Sequence, residues 1–204
     1  MPSPLGHALC GIAAGWLIAG RPASRAGPAA RRQHGRREGV RGRVAHVLRH
    51  PTLAQSVAWF GALGMLADVD FLVGRHSHHT HSLGAVALVF VGVWALVGRR
   101  AWSVAVACAA AYATHLLLDW MGSDTAPPIG ILALWPFSGQ FYQSPLFAFE
   151  AIDRRYAMAG FWTRNLHAVA WELTVLLPIV LLLGWLRRRT PARNDGPATE
   201  TVEP

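Results

Sequence analysis

The sequence contains no lysine: its nineteen basic side chains are all arginine, against eleven acidic ones. Charged residues are scarce altogether, at 15% of the chain, and there are only two cysteines. Cys10 and Cys108 each lie within an apolar run and show neither metal-binding nor redox spacing. We therefore expect two small buried thiols and no disulfide, which excludes a disulfide-stabilised fold.

The composition is instead dominated by apolar residues. They make up 52% of the chain, with nine tryptophans and a mean hydropathy of +0.28. Such values are typical of a small polytopic membrane protein, and 204 residues suit one domain. The net charge of +8 would also suit nucleic-acid binding, but the rest of the chain is too apolar for a simple module of that kind. Nucleic acid is therefore the less favoured partner.

Five apolar segments predict an all-α, polytopic membrane bundle of about five helices. They cover approximately residues 5–19, 53–73, 83–97, 101–121 and 168–186. Since a span needs about 20 apolar residues, the first segment is short and the third suffices only if His81 and Ser82 begin it. We predict one membrane-embedded domain over residues 1–189. It includes a basic, largely unstructured loop at 21–50 and an aromatic capping loop at 122–167, and a disordered tail follows at 190–204.

The arginines predict the orientation of this bundle. Nine lie in loop 21–50, two form the turn Arg99-Arg100, and three follow the last segment at 187–189. With a crossing at each segment, all three groups fall on one side, which the positive-inside rule makes cytoplasmic. The C-terminus is then cytoplasmic, and the N-terminus and loop 122–167 lie on the extracytoplasmic face.

Histidine and aspartate side chains gather on that second face. Ionisable groups in or beside a bilayer are costly, so such a cluster indicates a functional site. Imidazole with carboxylate is the ligand set of zinc and its transition-metal neighbours. The candidate ligands come from four places along the chain: His7, Asp68, His76, His81, His115 and Asp119.

Local spacing supports a metal site. His115 and Asp119 are four residues apart and therefore share one helix face. Asp68 and Asp70 are two apart, so we expect one to ligate directly while the other supports a ligand, or the helix to end between them. The loop must fold back for His76 and His81 to converge, which leaves His78 and His79 as spectators.

These motifs resemble the YdjM-like family. The matching pieces are Asp68-x-Asp70, the run from His76 to Ser82 with Thr80-His81-Ser82 at its end, His115-x-x-x-Asp119 and Trp135-Pro136-Phe137, with an early histidine at His7. The resemblance spans approximately residues 5–140. Departures fall at Ala67, Phe71 and Ser77, where the family more often has Pro, His and Arg. The order of ligands is also similar to that of the helical, zinc-dependent phospholipase C enzymes.

The resemblance implies a LexA-binding, inner-membrane-associated protein with metal-dependent hydrolase activity. We expect a divalent transition metal, most readily zinc and in two copies, because six candidate ligands exceed one tetrahedral ion. A metal-activated water would attack an ester or phosphoester of a lipid or lipid-linked substrate. Asp70 and Asp68 would be the catalytic carboxylates, and an anionic substrate would be bound by three arginines: Arg75, Arg154 and Arg155.

Two alternatives stay open at this point. One is a metal transporter, although segments three and five offer almost no ionisable residue along a path besides Glu172. The other is a non-catalytic membrane protein that binds a metal or a regulatory partner. Its basic loop would then contact a LexA-like repressor, nucleic acid or anionic lipid. Substituting the loop arginines would distinguish this case, because a hydrolase should keep its activity.

Overall fold

The computed structural model describes residues 1–19, 39–73, 77–124, 127–153 and 155–189. These ranges are all-α apart from two isolated β-bridges, Gly122 with Phe149 and Ile131 with Tyr142. Six α-helices are found there: α1 (Pro4–Ile18), α2 (Val40–Arg49), α3 (Leu53–Met65), α4 (Leu83–Val97), α5 (Trp102–Met121) and α6 (Phe161–Arg189). A 3-10 helix, Leu66–Val73, continues α3.

Helices α1, α3, α4, α5 and α6 alternate in direction, so the bundle has two chemically different ends. At one end, which we call the arginine end, α1 finishes beside the start of α3, where Trp16 Nε1 donates to Ser56 Oγ at 3.0 Å. Arg187 at the end of α6 donates to the carbonyl of Trp16 at 2.7 Å. Arg49 of α2 donates to the carbonyl of Val97 at the end of α4. The opposite end, called the His/Asp end, holds those predicted ligands that the structure describes: His7, Asp68, His81, His115 and Asp119.

Helix α5 lies in the centre and packs most closely against α1 and α4, with small residues such as Ala105, Ala107 and Ala111 fully buried. Close packing of α1 against α3 depends on glycine. A Cβ at Gly64 would lie 2.3 Å from the carbonyl oxygen of His7, and one at Gly11 would lie 2.5 Å from that of Phe60. These crossings bring the first turn of α1 to the end of α3.

The expectation of about five spanning helices is wrong in its number. Within the described residues, two helical stretches are long and apolar enough to cross a membrane, Arg99–Met121 and Phe161–Arg189. Helices α1 and α4 have 15 residues each, which is about 22 Å against the roughly 30 Å of a bilayer core. Helix α4 cannot reach back to His81 because Ser82 is its N-cap, whose side chain accepts from the Ala85 N–H.

Three other boundaries also differ from the sequence expectation. The second apolar segment is α-helical only to Met65, because its backbone then tightens to 3-10 geometry. Helix α2 lies within the loop expected to be largely unstructured, and residues 21–38 of that loop are outside the described residues, as is the tail at 190–204. Helix α6 begins at Phe161, seven residues before the apolar segment at 168–186, so the capping loop ends at residue 160.

The capping loop lies across the ends of α4 and α5. Leu83 and Gly84, at the start of α4, donate to the carbonyls of Ala133 and Trp135 at 2.9 and 3.0 Å. At the end of α5, the Trp120 carbonyl accepts from the Ser144 N–H at 2.8 Å. These contacts satisfy backbone groups that helix ends leave without intrahelical partners. The loop thereby covers the His/Asp end.

Candidate metal centre

Four of the predicted ligands converge at the His/Asp end of the bundle. The Nε2 atoms of His81 and His115 are 3.1 Å apart, and each lies 3.2 Å from Asp119 Oδ2. Asp68 Oδ1 lies 3.5 Å from His115 Nε2 and 3.8 Å from His81 Nε2. These side chains come from the end of α5, the 3-10 helix after α3 and the turn before α4. The fold thus brings together two nitrogens and two oxygens that are distant in sequence.

The spacing of neighbouring ligand atoms in this cluster suits a transition-metal cation. Zinc–nitrogen and zinc–oxygen bonds of about 2.0–2.1 Å at tetrahedral angles place neighbouring ligand atoms about 3.3 Å apart. The five distances given above scatter around that value, between 3.1 and 3.8 Å. The donor set of two imidazoles and two carboxylates is likewise one that zinc accepts.

The Nδ1 atoms of His81 and His115, the ring nitrogens that are not directed at the cluster, each contact an oxygen atom. His115 Nδ1 lies 2.7 Å from the carbonyl oxygen of Gly64. A carbonyl only accepts, so Nδ1 carries the proton and the neutral ring has its lone pair on Nε2. His81 Nδ1 lies 3.2 Å from Asp70 Oδ2, to which Thr80 Oγ1 also donates at 3.0 Å. A histidine held by a carboxylate through its second nitrogen is the usual arrangement around bound zinc.

Asp119 shows that the centre needs a cation or extra protons. It is 1% exposed, and neither of its oxygens accepts a hydrogen bond although imidazole nitrogens lie within 3.3 Å. A buried carboxylate without hydrogen bonds is costly, and lone pairs directed at one point repel each other. A cation shared by these atoms removes both penalties, so the residues present fit a bound metal.

His7 approaches the other oxygen of Asp119. Its Nε2 atom lies 3.3 Å from Asp119 Oδ1, and its ring stacks on His115 with centroids 3.7 Å apart. His7, His115 and Asp119 form a second group of three possible ligands beside the group of Asp68, His81 and His115. Asp119 therefore contacts His7 through one oxygen and His81 and His115 through the other.

Neighbouring groups shift the pKa values of Asp68 and His81, the two ligands that lie outside the α-helices. Burial opposes ionisation of Asp68, but its hydrogen bond to His115 and the neighbouring imidazoles lower the pKa of this carboxyl below its ordinary value. Burial likewise disfavours a charged His81, but the adjacent carboxylates of Asp119 and Asp70 outweigh it and raise the pKa of His81.

Glu172 anchors the start of α1, the helix that carries His7. Glu172 is not among the predicted site residues. This carboxylate of α6 is 1% exposed and accepts from the Ser3 N–H at 2.7 Å and from the Ser3 hydroxyl. Ser3 is the N-cap of α1, four residues before His7. The signal in the sequence was a lone carboxylate inside an apolar segment, which is costly unless it has a partner.

Other predicted site residues have different outcomes. His76, Arg75 and Arg154 lie outside the described residues. Asp70 contacts the outer nitrogen of His81, which makes it a supporting residue of that ligand. Arg155 is 70% exposed at its side chain and pairs with Asp153 at 3.1 Å, so its described ion pair is not with the centre.

A pocket of about 250 Å³ opens beside the centre. His7 and Asp68 form its polar wall, and the other lining residues are apolar: Met1, Pro2, Pro4, Met65, Phe71 and Ile152. Asp68, at 25% side-chain exposure, is more open than His81, His115 or Asp119. A substrate in this pocket would therefore meet the centre from the Asp68 side.

Comparison with known proteins agrees with the membrane-like composition and with the motif order. No curated protein and no solved structure gives a match to the chain. A family model described as YdjM inner membrane protein matches residues 1–190. That match covers nearly the whole sequence and includes every residue of the centre, so the chain belongs to the YdjM inner membrane protein family.

Proposed function

We propose that this protein is a membrane-bound, metal-dependent hydrolase that cleaves an ester or phosphoester in a lipid or lipid-linked substrate. The observation that carries the proposal is a pair of adjoining ligand groups, Asp68 with His81 and His115, and His7 with His115 and Asp119, in which Asp119 is buried and without hydrogen bonds. Few structural roles account for so many ionisable groups at one end of an apolar bundle.

Each residue has a role that follows from its contacts. Asp68, His81 and His115 would hold one zinc ion, and His7 with Asp119 would contribute to a second. Zinc in such a site polarises the scissile group and lowers the pKa of water. Asp70 fixes the His81 ring through Nδ1, and Gly64 fixes His115 in the same way. Asp68 borders the pocket, so a substrate bound there would contact this ligand first.

The pocket supports the choice of a lipid substrate. Its walls are mainly apolar, and the 3-10 helix beside it exposes the apolar side chains of Leu66, Val69 and Phe71. Exposed apolar surface on a membrane protein faces acyl chains, so an amphiphile could enter laterally and present its polar linkage to Asp68. We place this end on the extracytoplasmic side, because arginines gather at the opposite end.

Metal analysis of the detergent-purified protein tests the proposal. We expect at least one equivalent of a transition metal in the wild-type protein, and loss of that metal in His115→Ala and Asp119→Asn. His79→Ala is the matched control, because His79 lies in the same turn but is exposed and contacts Trp135 rather than the centre. Hydrolysis of chromogenic esters and phosphoesters solubilised in micelles should fall to background in the first two variants and persist in the control.

The outcomes separate the proposal from its alternatives. A wild-type protein without stoichiometric metal would remove the metal centre altogether. Stoichiometric metal without hydrolysis of any ester or phosphoester, in the presence of lipid, would instead favour the non-catalytic metal-binding protein. Equal metal content in His115→Ala and His79→Ala would show that the metal is held elsewhere.

A further inference from the structure

A second pocket lies at the arginine end, away from the metal centre. Its volume is about 130 Å³, and it opens where α1 ends and where α3 and α5 begin. Phe60 and Ser56 of α3 line it from inside the bundle, and Val104 of α5 closes one side. Along α5, Val104 of this pocket and His115 of the centre are 11 residues apart, which is about 16 Å at 1.5 Å per residue.

The lining of this pocket combines positive charge with apolar surface. Arg49, Arg187 and Arg188 supply the charge, and among the described residues that line the pocket none is acidic. The remaining lining is mainly apolar: Ala19, Leu48, Pro51, Leu53, Phe60 and Val104. Three guanidinium groups close to one cavity repel each other, so an anion there is favourable.

Two of these arginines are held in place by helix ends. Arg49 donates to the carbonyl of Val97 at the end of α4, and Arg187 donates to the carbonyl of Trp16 near the end of α1. These bonds order the side chains before any ligand arrives, which reduces the entropy lost on binding. A guanidinium carries five N–H donors in a planar fork, enough to bind a carbonyl and a phosphate together.

We infer that this pocket binds the phosphate group of an anionic phospholipid, with the acyl chains lying against Leu53 and Val104. The apolar part of the lining favours a lipid over a soluble anion, and the last turns of α6, which lead to Arg187, expose further apolar side chains such as Leu182 and Trp185. Basic pockets between helices at the cytoplasmic end of membrane proteins are suited to such headgroups. The site is separate from the metal centre and does not depend on the proposed hydrolase activity.

Native mass spectrometry of the full-length protein in detergent tests this assignment, with phosphatidylglycerol and phosphatidylcholine as probes. We expect one phosphatidylglycerol to bind more tightly than phosphatidylcholine. The Arg49→Gln/Arg188→Gln variant should weaken phosphatidylglycerol binding by about tenfold or more, since it removes two charge-assisted contacts. Val104→Phe, which fills the cavity and leaves every arginine, should also weaken it.

Arg100→Gln is the matched control. Arg100 lies at the same end of the bundle but does not line the pocket, so the variant removes a charge and keeps the cavity. Equal phosphatidylglycerol affinity in Arg100→Gln and Arg49→Gln/Arg188→Gln would overturn the assignment, as would equal binding of the two lipids by the wild-type protein. Displacement of the lipid by millimolar inorganic phosphate would show a simple anion site instead.

Discussion

At the scale of single residues, sequence spacing identifies which side chains are ligands only within a regular α-helix, where the period fixes the face on which each side chain lies. The four-residue spacing of His115 and Asp119 predicts that they share one helix face, and in the structure His115 Nε2 lies 3.2 Å from Asp119 Oδ2. That argument does not decide which of Asp68 and Asp70 is the direct ligand, because the α-helix period does not apply there. The 3-10 backbone turns the two carboxylates towards opposite nitrogens of His81, Nε2 and Nδ1.

This geometry predicts the effect of Asp70→Asn. The substitution keeps the size of the side chain but removes the negative charge that holds His81 Nδ1–H. We expect metal affinity to fall by about 10–100-fold, as for other supporting carboxylates. Competition with a chromophoric chelator measures this loss. Thr80→Val, which removes only the hydroxyl bonded to Asp70, should cost less, and an unchanged affinity in Asp70→Asn would contradict the assigned role.

Glu172 gives a second prediction at this scale. Glu172→Ala leaves the buried N–H and hydroxyl of Ser3 without their acceptor and releases the first turn of α1. We expect a loss of about 3 kcal/mol in stability and weaker metal binding, because His7 is no longer held beside Asp119. Unfolding in detergent and metal competition measure the two effects.

Glu150→Ala is the comparison for Glu172→Ala. Its carboxylate is 56% exposed and pairs with His167 at the surface, so the cost should stay below about 1 kcal/mol. Metal affinity should not change in this variant. If Glu172→Ala behaved like Glu150→Ala in both measurements, the Ser3–Glu172 contact would have no part in placing His7.

At the scale of helices, glycine decides how closely α1 and α3 approach. Gly64 serves two purposes, since its missing side chain admits the backbone of His7 and its carbonyl accepts from His115. Sequence patterns do not show this, because the glycine is read as one of several in an apolar segment. Its importance follows from the backbone of another helix lying where a Cβ would be.

Gly64→Ala should therefore damage both the packing and the metal centre. A Cβ placed 2.3 Å from a backbone oxygen forces the helices apart, which costs about 1–3 kcal/mol or more. Gly92→Ala is the control, because a Cβ there meets nothing within 4 Å; it should be neutral or stabilise α4 by about 0.5–1 kcal/mol. Thermal unfolding with metal quantification measures both. Equal stability of the two variants would contradict the close crossing.

At the scale of the whole molecule, the two spanning-length helices have different positions. Helix α5 is central and largely buried, whereas α6 is peripheral and exposes a long apolar face. Helices α1, α3 and α4 are shorter but run alongside α5 between the same two ends. In the topology proposed above, the His/Asp end is extracytoplasmic and the arginine end is cytoplasmic.

Labelling of single cysteines tests this topology. In a variant without native cysteines, His79→Cys marks the His/Asp end and Arg100→Cys marks the arginine end; both positions are exposed. A membrane-impermeant maleimide should label His79→Cys in intact cells and Arg100→Cys only after permeabilisation, because α4 separates them. Labelling of both positions from the same side would show that α4 does not cross and would remove the extracytoplasmic assignment.

The sequence by itself determined the class of protein, the separation of arginine from histidine and aspartate, and the pair His115 and Asp119. These follow from composition and from the helix period, which are local properties. Only the tertiary structure decided how many helices have spanning length, how Asp68 and Asp70 divide their contacts, and that Glu172 anchors α1. Those outcomes depend on where a helix changes geometry and on which backbones touch. Contacts between distant segments set both, and no local pattern encodes them.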